Sequence, residues 1–285
     1  MLYIYNAMIF WLWAILAIRK GKFSWHTIVA IYVFAEAIVD LAEVLSNQLL
    51  HLYEFSTHLF SDPVRSDRIG IMLADVIILP ASSIIFCYYT NPKKPWLSVG
   101  IFTFIHITLE LVYLKLDLLR YHQWNILFST LLYLVGFRFL AYFSKRFVEY
   151  NPPVPYWVRL YSFTYTALVL PGAVFSGVLI NWHQWRPNFL SNPVADDRLA
   201  DIGLCVIISL MTAFIIPKVS SRYRMMAFVL LTLASTIFAL YSHWRGWLIY
   251  HYWNHLLTIL RYFLPFSLVI WYDRWESGYV LNKKK

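Results

Sequence analysis

The chain has 285 residues, of which 60% are hydrophobic, 19% aromatic and only 14% charged. A soluble globular domain carries about a quarter charged residues, so this composition excludes one and points to an all-α polytopic membrane protein. The net charge of +9 is then an orientation signal carried by loops rather than a nucleic-acid footprint, and membrane lipids are the partner it implies.

Apolar windows of about 17 to 25 residues mark transmembrane helices. They fall at 2–18, 26–48, 68–90, 97–118 and 124–144, then at 157–180, 198–217, 225–243 and 251–272. The first has no charged n-region and no small-residue cleavage site, so it reads as a retained span. Asn91-Pro92, Asn151-Pro152-Pro153 and Ser191-Asn192-Pro193 punctuate the connections, none of which is long enough for a soluble domain. Nine spans place the termini on opposite sides. Outside the span interiors, fifteen basic residues fall in one set of loops and the C-terminal tail, and seven in the other. The positive-inside rule then puts the N-terminus outside and the tail in the cytoplasm of a bacterial plasma membrane. Cys87 and Cys205 lie in apolar spans at opposite expected depths, which argues against a disulfide.

Two external motifs recur in order. Ser61-Asp62-Pro63-Val64-Arg65-Ser66-Asp67-Arg68 returns as Ser191-Asn192-Pro193-Val194-Ala195-Asp196-Asp197-Arg198, with five of eight positions agreeing at an offset of 130. Tyr121-His122-Gln123-Trp124-Asn125 returns as Tyr250-His251-Tyr252-Trp253-Asn254, four of five, at an offset of 129. The chain therefore divides into an N-terminal helix (1–25), repeat one (26–144), a cytoplasmic linker (145–155), repeat two (156–273) and a basic tail (274–285). Each repeat holds four spans, an even number, so the two copies enter the membrane the same way, as parallel repeats do.

Repeat one runs from an aromatic-acidic loop at Leu52-Tyr53-Glu54 through a Pro-containing turn into a span. A short Asn-Pro-Lys loop follows, then a Glu-bearing span ending in Tyr-x-x-Trp, continuing to Arg138. This order resembles a family of small multi-pass membrane proteins of uncharacterised function from Gram-positive, endospore-forming bacteria. The resemblance covers repeat one well and repeat two only through the shared motifs. It implies a topology and carries no activity.

Glu36, Asp40, Glu43 and Asn47 share one face of the second span, and His106, Glu110, Tyr113 and Asp117 repeat the same 4-3-4 spacing on the fourth. At about 100° per residue each set occupies an arc of roughly 60°. An ionisable group in a bilayer costs about 2.5 to 3.5 kcal/mol even on insertion scales, so these groups pair internally or line a wet path. Each stripe covers about 16 Å, from the midplane to the outer surface, the shape of an outward-opening cavity. Arg138 is the one cation expected deep in repeat one, and one Arg with one His cannot neutralise Glu36, Asp40, Glu43 and Glu110 together. Repeat two has Thr166, Leu170 and Ala173 where repeat one has its first three acids, so it reads as scaffold.

Other candidates are weaker. Seven of nine histidines fall near the outer face, and His251 and His255, spaced i, i+4, are the best metal-ligand pair. Interface packing explains the same spacing. Asp67-Arg68 and Asp197-Arg198 open the third and seventh spans, where an acid satisfies free N–H groups. Pro171, in mid-span six, is the best candidate for a broken helix. No phosphate loop, nucleophile elbow or metalloprotease motif is present, so no cofactor and no catalytic residue is assigned. The reading is binding, with transport as its extension, of a small cationic or protonatable solute. Its residues are Glu36, Asp40, Glu43, Asn47, His106, Glu110, Tyr113, Asp117 and Arg138. The alternative is a non-transporting assembly, immunity or structural partner protein whose acids form internal pairs.

Overall fold

A computed structural model describes residues 1–21, 23–91, 93–149, 154–175 and 180–283. The expected turn at Asn151-Pro152-Pro153 lies outside these residues. The chain forms two compact units, Met1–Val154 and Pro155–Lys285.

Unit 1 begins with α1 (Leu2–Arg19) and α2 (Trp25–Glu43), which continues through a π-helical turn at Val44–Leu49. After β1 (Tyr53–Phe55), α3 (Pro63–Ile71) runs through a second π turn, Met72–Ile78, into α4 (Leu79–Tyr89). Then come α5 (Trp96–Lys115), β2 (Leu119–Tyr121) and α6 (Ile126–Glu149). Unit 2 consists of α7 (Tyr156–Phe175), β3 (His183–Trp185), α8 (Pro193–Ile215) with a 3-10 turn at Ile216–Lys218, α9 (Ser221–Trp244), β4 (Leu248–Tyr250) and α10 (His255–Lys283). Among the described residues, eight helical segments are long and apolar enough to cross a membrane: α1, α3 with α4, α5, α6, α7, α8 with its 3-10 turn, α9 and α10. Helix α2, which carries Glu36, Asp40 and Glu43, is not one of the eight.

Helix starts follow from caps. The backbone N–H of Val64 donates to Asp62 Oδ1 at 3.0 Å and that of Val194 to Asn192 Oδ1 at 2.9 Å. Pro63 and Pro193 occupy the first turn, where a missing N–H costs nothing. Helices α3 and α8 thus begin before the apolar runs do, and Asp67-Arg68 and Asp197-Arg198 lie more than a turn inside them. The capping role expected of these dipeptides is already filled.

Each unit carries one short antiparallel ribbon. Tyr53, Glu54 and Phe55 face Tyr121, Arg120 and Leu119; His183, Gln184 and Trp185 face Tyr250, Ile249 and Leu248. The recurring residues build these ribbons. Asp67 Oδ1 accepts from the Phe55 N–H at 2.7 Å, and Asp197 Oδ1 from the Trp185 N–H at 2.6 Å, tying β1 to α3 and β3 to α8. The Trp124 and Trp253 indoles donate to Ser129 Oγ at 2.7 Å and Thr258 Oγ1 at 2.9 Å. Asn125 and Asn254 accept from Leu127 and Leu257 N–H groups in the first turns of α6 and α10.

Pro80 has no N–H to give the Val76 carbonyl, its α-helical acceptor. The Tyr32 hydroxyl of α2 donates to that carbonyl instead, at 2.9 Å. This places the π turn around Asp75 against α2.

Candidate functional site

In unit 1 a cavity of about 340 Å³ lies between α2, the α3–α4 segment, α5 and α6. Its wall is mostly apolar and includes three acids, Glu43 from α2, Asp75 from the π turn and Glu110 from α5. These are 6%, 2% and 8% exposed, and one carboxyl oxygen of each makes no hydrogen bond. Hydroxyl groups hold the other side of two of them. Tyr53 OH donates to Glu43 Oε2, while Tyr121 OH and Ser129 Oγ donate to Glu110 Oε1. Burial first, then the neighbouring carboxylates, push the Tyr53 and Tyr121 phenols above their ordinary value, so both stay protonated as donors.

The sequence-derived set divides in the structure. Glu43, Glu110, His106 and Tyr113 line the cavity. His106 Nε2 bonds Ser82 Oγ at 2.8 Å, and its ring stacks between Phe10 and Tyr133 at 5.6 and 5.1 Å. The Asn6 amide of α1 donates to Tyr113 OH. Asn47 is buried and donates to Asp67 Oδ1 at 3.1 Å. Glu36 and Asp40 are buried but lie outside the lining, engaged within the protein and acting electrostatically on Asp75.

Two assignments are corrected. Asp117 follows the end of α5 with φ +56° and is exposed; Arg120 grips it with two hydrogen bonds of 2.7 and 2.6 Å and holds its carboxyl below the usual range. The helix ends before the stripe does. Arg138 is also exposed, its guanidinium 5.6 Å from the Trp96 ring, so it is not the deep counter-ion. That place belongs to Arg68, which is 3% exposed and within electrostatic reach of Glu43, Asp67 and Asp75. Arg68 escaped sequence reasoning because the Asp-Arg motif resembled a cap. The available signal was a basic residue one turn past a Pro-led helix start.

Unit 2, which lacks the acid stripe, holds buried ion pairs of its own. Arg261 of α10 pairs with Asp201 of α8 deep inside it and donates to the Leu168 carbonyl at 3.3 Å. Gly172, just after Pro171 in α7, gives this pair room: an added Cβ would sit 2.5 Å from Asp201 and 2.6 Å from Arg261. Arg159 and Glu276 form a second buried pair. His251 precedes α10 and His255 opens it, so they do not share a helix face. Among the described residues no group of three His, Cys, Asp or Glu side chains is placed to hold a metal. Cys87 and Cys205 are free thiols.

No protein-family model, curated protein or solved structure matches this chain.

Proposed function

We propose that this is a nine-span membrane protein that binds a cationic molecule in the unit 1 cavity. The observation that carries the reading is the set Glu43, Asp75 and Glu110, each buried against the cavity with an unpartnered carboxyl oxygen. Three acids, Glu43, Asp75 and Glu110, line the cavity, and the guanidinium of Arg68 lies within electrostatic reach of Glu43 and Asp75. An uncompensated buried charge costs several kcal/mol, so a second cation at the open oxygens stabilises the site. The π turn that carries Asp75 agrees with this, because such turns concentrate where a helix is adapted to a ligand. Transport would extend the reading. The loop charges support an external N-terminus in a bacterial plasma membrane. The two ribbons, whose paired strands recur at the same offsets of 130 and 129 as the motifs, support a tandem four-helix repeat behind α1.

The test is equilibrium binding of radiolabelled alkylguanidinium ions, from methyl to dodecyl, to the protein in phosphatidylcholine nanodiscs. At least one member should bind saturably. Glu43→Gln and Glu110→Gln, which keep the acceptors for Tyr53, Tyr121 and Ser129, should each weaken that binding about tenfold or more with the thermal transition retained. If no member binds, the acids belong to a structural or partner role and the reading fails.

A further inference from the structure

Resting on that reading, we infer that the ligand is an amphiphile with a cationic head and a hydrocarbon body, and that it enters sideways from the membrane between α2 and α6. Five residues that line the cavity are also exposed on the outer surface of unit 1: Ile38 of α2 at 41%, Leu132, Val135 and Phe139 of α6 at 47%, 66% and 46%, and Gly136 of α6. All are apolar, so the mouth they frame faces hydrocarbon. The two helices meet on one side of this mouth, where Thr27 donates to the Phe147 carbonyl at 3.0 Å and Phe34 packs on Phe139, Phe143 and Phe147. On the other side, Tyr53 and Trp124 pack at 5.5 Å. A hydrophilic solute entering here would have to cross an apolar rim to reach the acids. An alkyl chain lying along that rim would leave its charged end among Glu43, Asp75 and Glu110.

Unit 2 supplies an internal precedent. At the repeat offsets, Arg261 of α10 corresponds to Leu132 of α6, and Cys205 to Asp75. In unit 2 a guanidinium on a hydrocarbon stem enters from the last helix, α10, and meets an acid of α8, Asp201. In unit 1 the equivalent side chain is an uncharged cavity-lining leucine, and an acid stands with an open oxygen instead. An amphiphilic cation would do in unit 1 what tethered Arg261 does in unit 2.

The alkylguanidinium series separates this inference from the reading beneath it. Dodecylguanidinium, counted above empty nanodiscs, should bind at least about tenfold more tightly than methylguanidinium. Gly136 lines the cavity and has open space where a Cβ would stand. Gly136→Trp should block the mouth and weaken dodecylguanidinium binding about tenfold, and Val135→Trp, at an exposed position, should do the same if the glycine variant fails to fold. Leu132→Arg should fill the site from within and abolish binding in a folded protein. Equal affinities for short and long chains, or dodecyl binding indifferent to both tryptophans, would overturn lateral entry while leaving cation binding in place. Binding by neither overturns both.

Discussion

His183 is 1% exposed in β3, and neither ring nitrogen makes a hydrogen bond. Burial, and then the positive charges of Arg261 and Arg198, lower its pKa from the ordinary 6.5 to about 3, with Asp201 acting in opposition. The folded chain thus holds this ring neutral across a range where the unfolded chain protonates it. Stability from His183 is complete above about pH 6.5 and is lost as pH falls toward 3, because the unfolded state then binds the extra proton. The slope is about 1.4 kcal/mol per pH unit, or roughly 2 kcal/mol between pH 7 and pH 5. Thermal unfolding of detergent-solubilised protein should lose stability over that interval, and His183→Phe should remove most of the slope. An unchanged slope in the variant would place the titrating group elsewhere. Arg68 and Arg138 make a related point. Both are helical arginines of unit 1, but Arg68 stands near Glu43, Asp67 and Asp75, and Arg138 reaches the Trp96 ring at the surface.

Helix α3 packs close against β1 at Gly70, where an added Cβ would lie 2.3 Å from Phe55 Cβ and 3.2 Å from Thr57 Cγ2. Phe55 belongs to a strand already fixed by Asp67, and Thr57 follows two residues on, so the strand cannot yield without stretching the 2.7 Å Phe55–Asp67 bond. Gly70→Ala should cost about 1 to 3 kcal/mol, as overpacking does, and should speed amide exchange at Phe55. Wild-type exchange at that amide would show that the ribbon moves freely and is not held by α3. Elements of this kind were partly legible in the sequence. The recurring Asp, Trp and Asn residues were legible as a repeat but not as the fastenings of two ribbons, because their backbone and hydroxyl partners are distant in sequence or carry no pattern of their own. The apolar windows located the helices but not their starts, since Asp62-Pro63 and Asn192-Pro193 begin helices in polar sequence. Simple periodicity singled out Glu43 and Glu110, which line the cavity. It failed at Asp117, where a left-handed residue ends α5, and it gave no hint of the π turns. Such turns shift the helical register around Asp75, and no periodicity rule anticipates them.

At the scale of the whole molecule, the position of α2 decides the topology. Eight described segments have the length and composition of membrane spans, and α2 would make nine. Its acids turn inward: Glu36, Asp40 and Glu43 are buried against the protein, so the helix can present apolar residues such as Ile38 and Leu45 to hydrocarbon. Burial inside a bundle is what makes three acids tolerable on one spanning helix. If α2 crosses, Lys20 and Phe60 lie on opposite sides of the membrane. Single cysteines at these exposed positions, tested with an impermeant maleimide on intact cells, should label Phe60→Cys and leave Lys20→Cys protected until lysis. Phe189→Cys should label like Phe60→Cys, and Lys94→Cys and Arg222→Cys should be protected. The native thiols of Cys87 and Cys205 are buried and contribute little background. Lys20→Cys and Phe60→Cys behaving alike would make α2 a non-spanning helix and the count eight. It would also put the termini on one side and remove the basis for a parallel repeat behind α1. The fully inverted labelling pattern would keep nine spans and reverse the orientation, which would place the ribbons and the Tyr53–Trp124 end of the cavity in the cytoplasm.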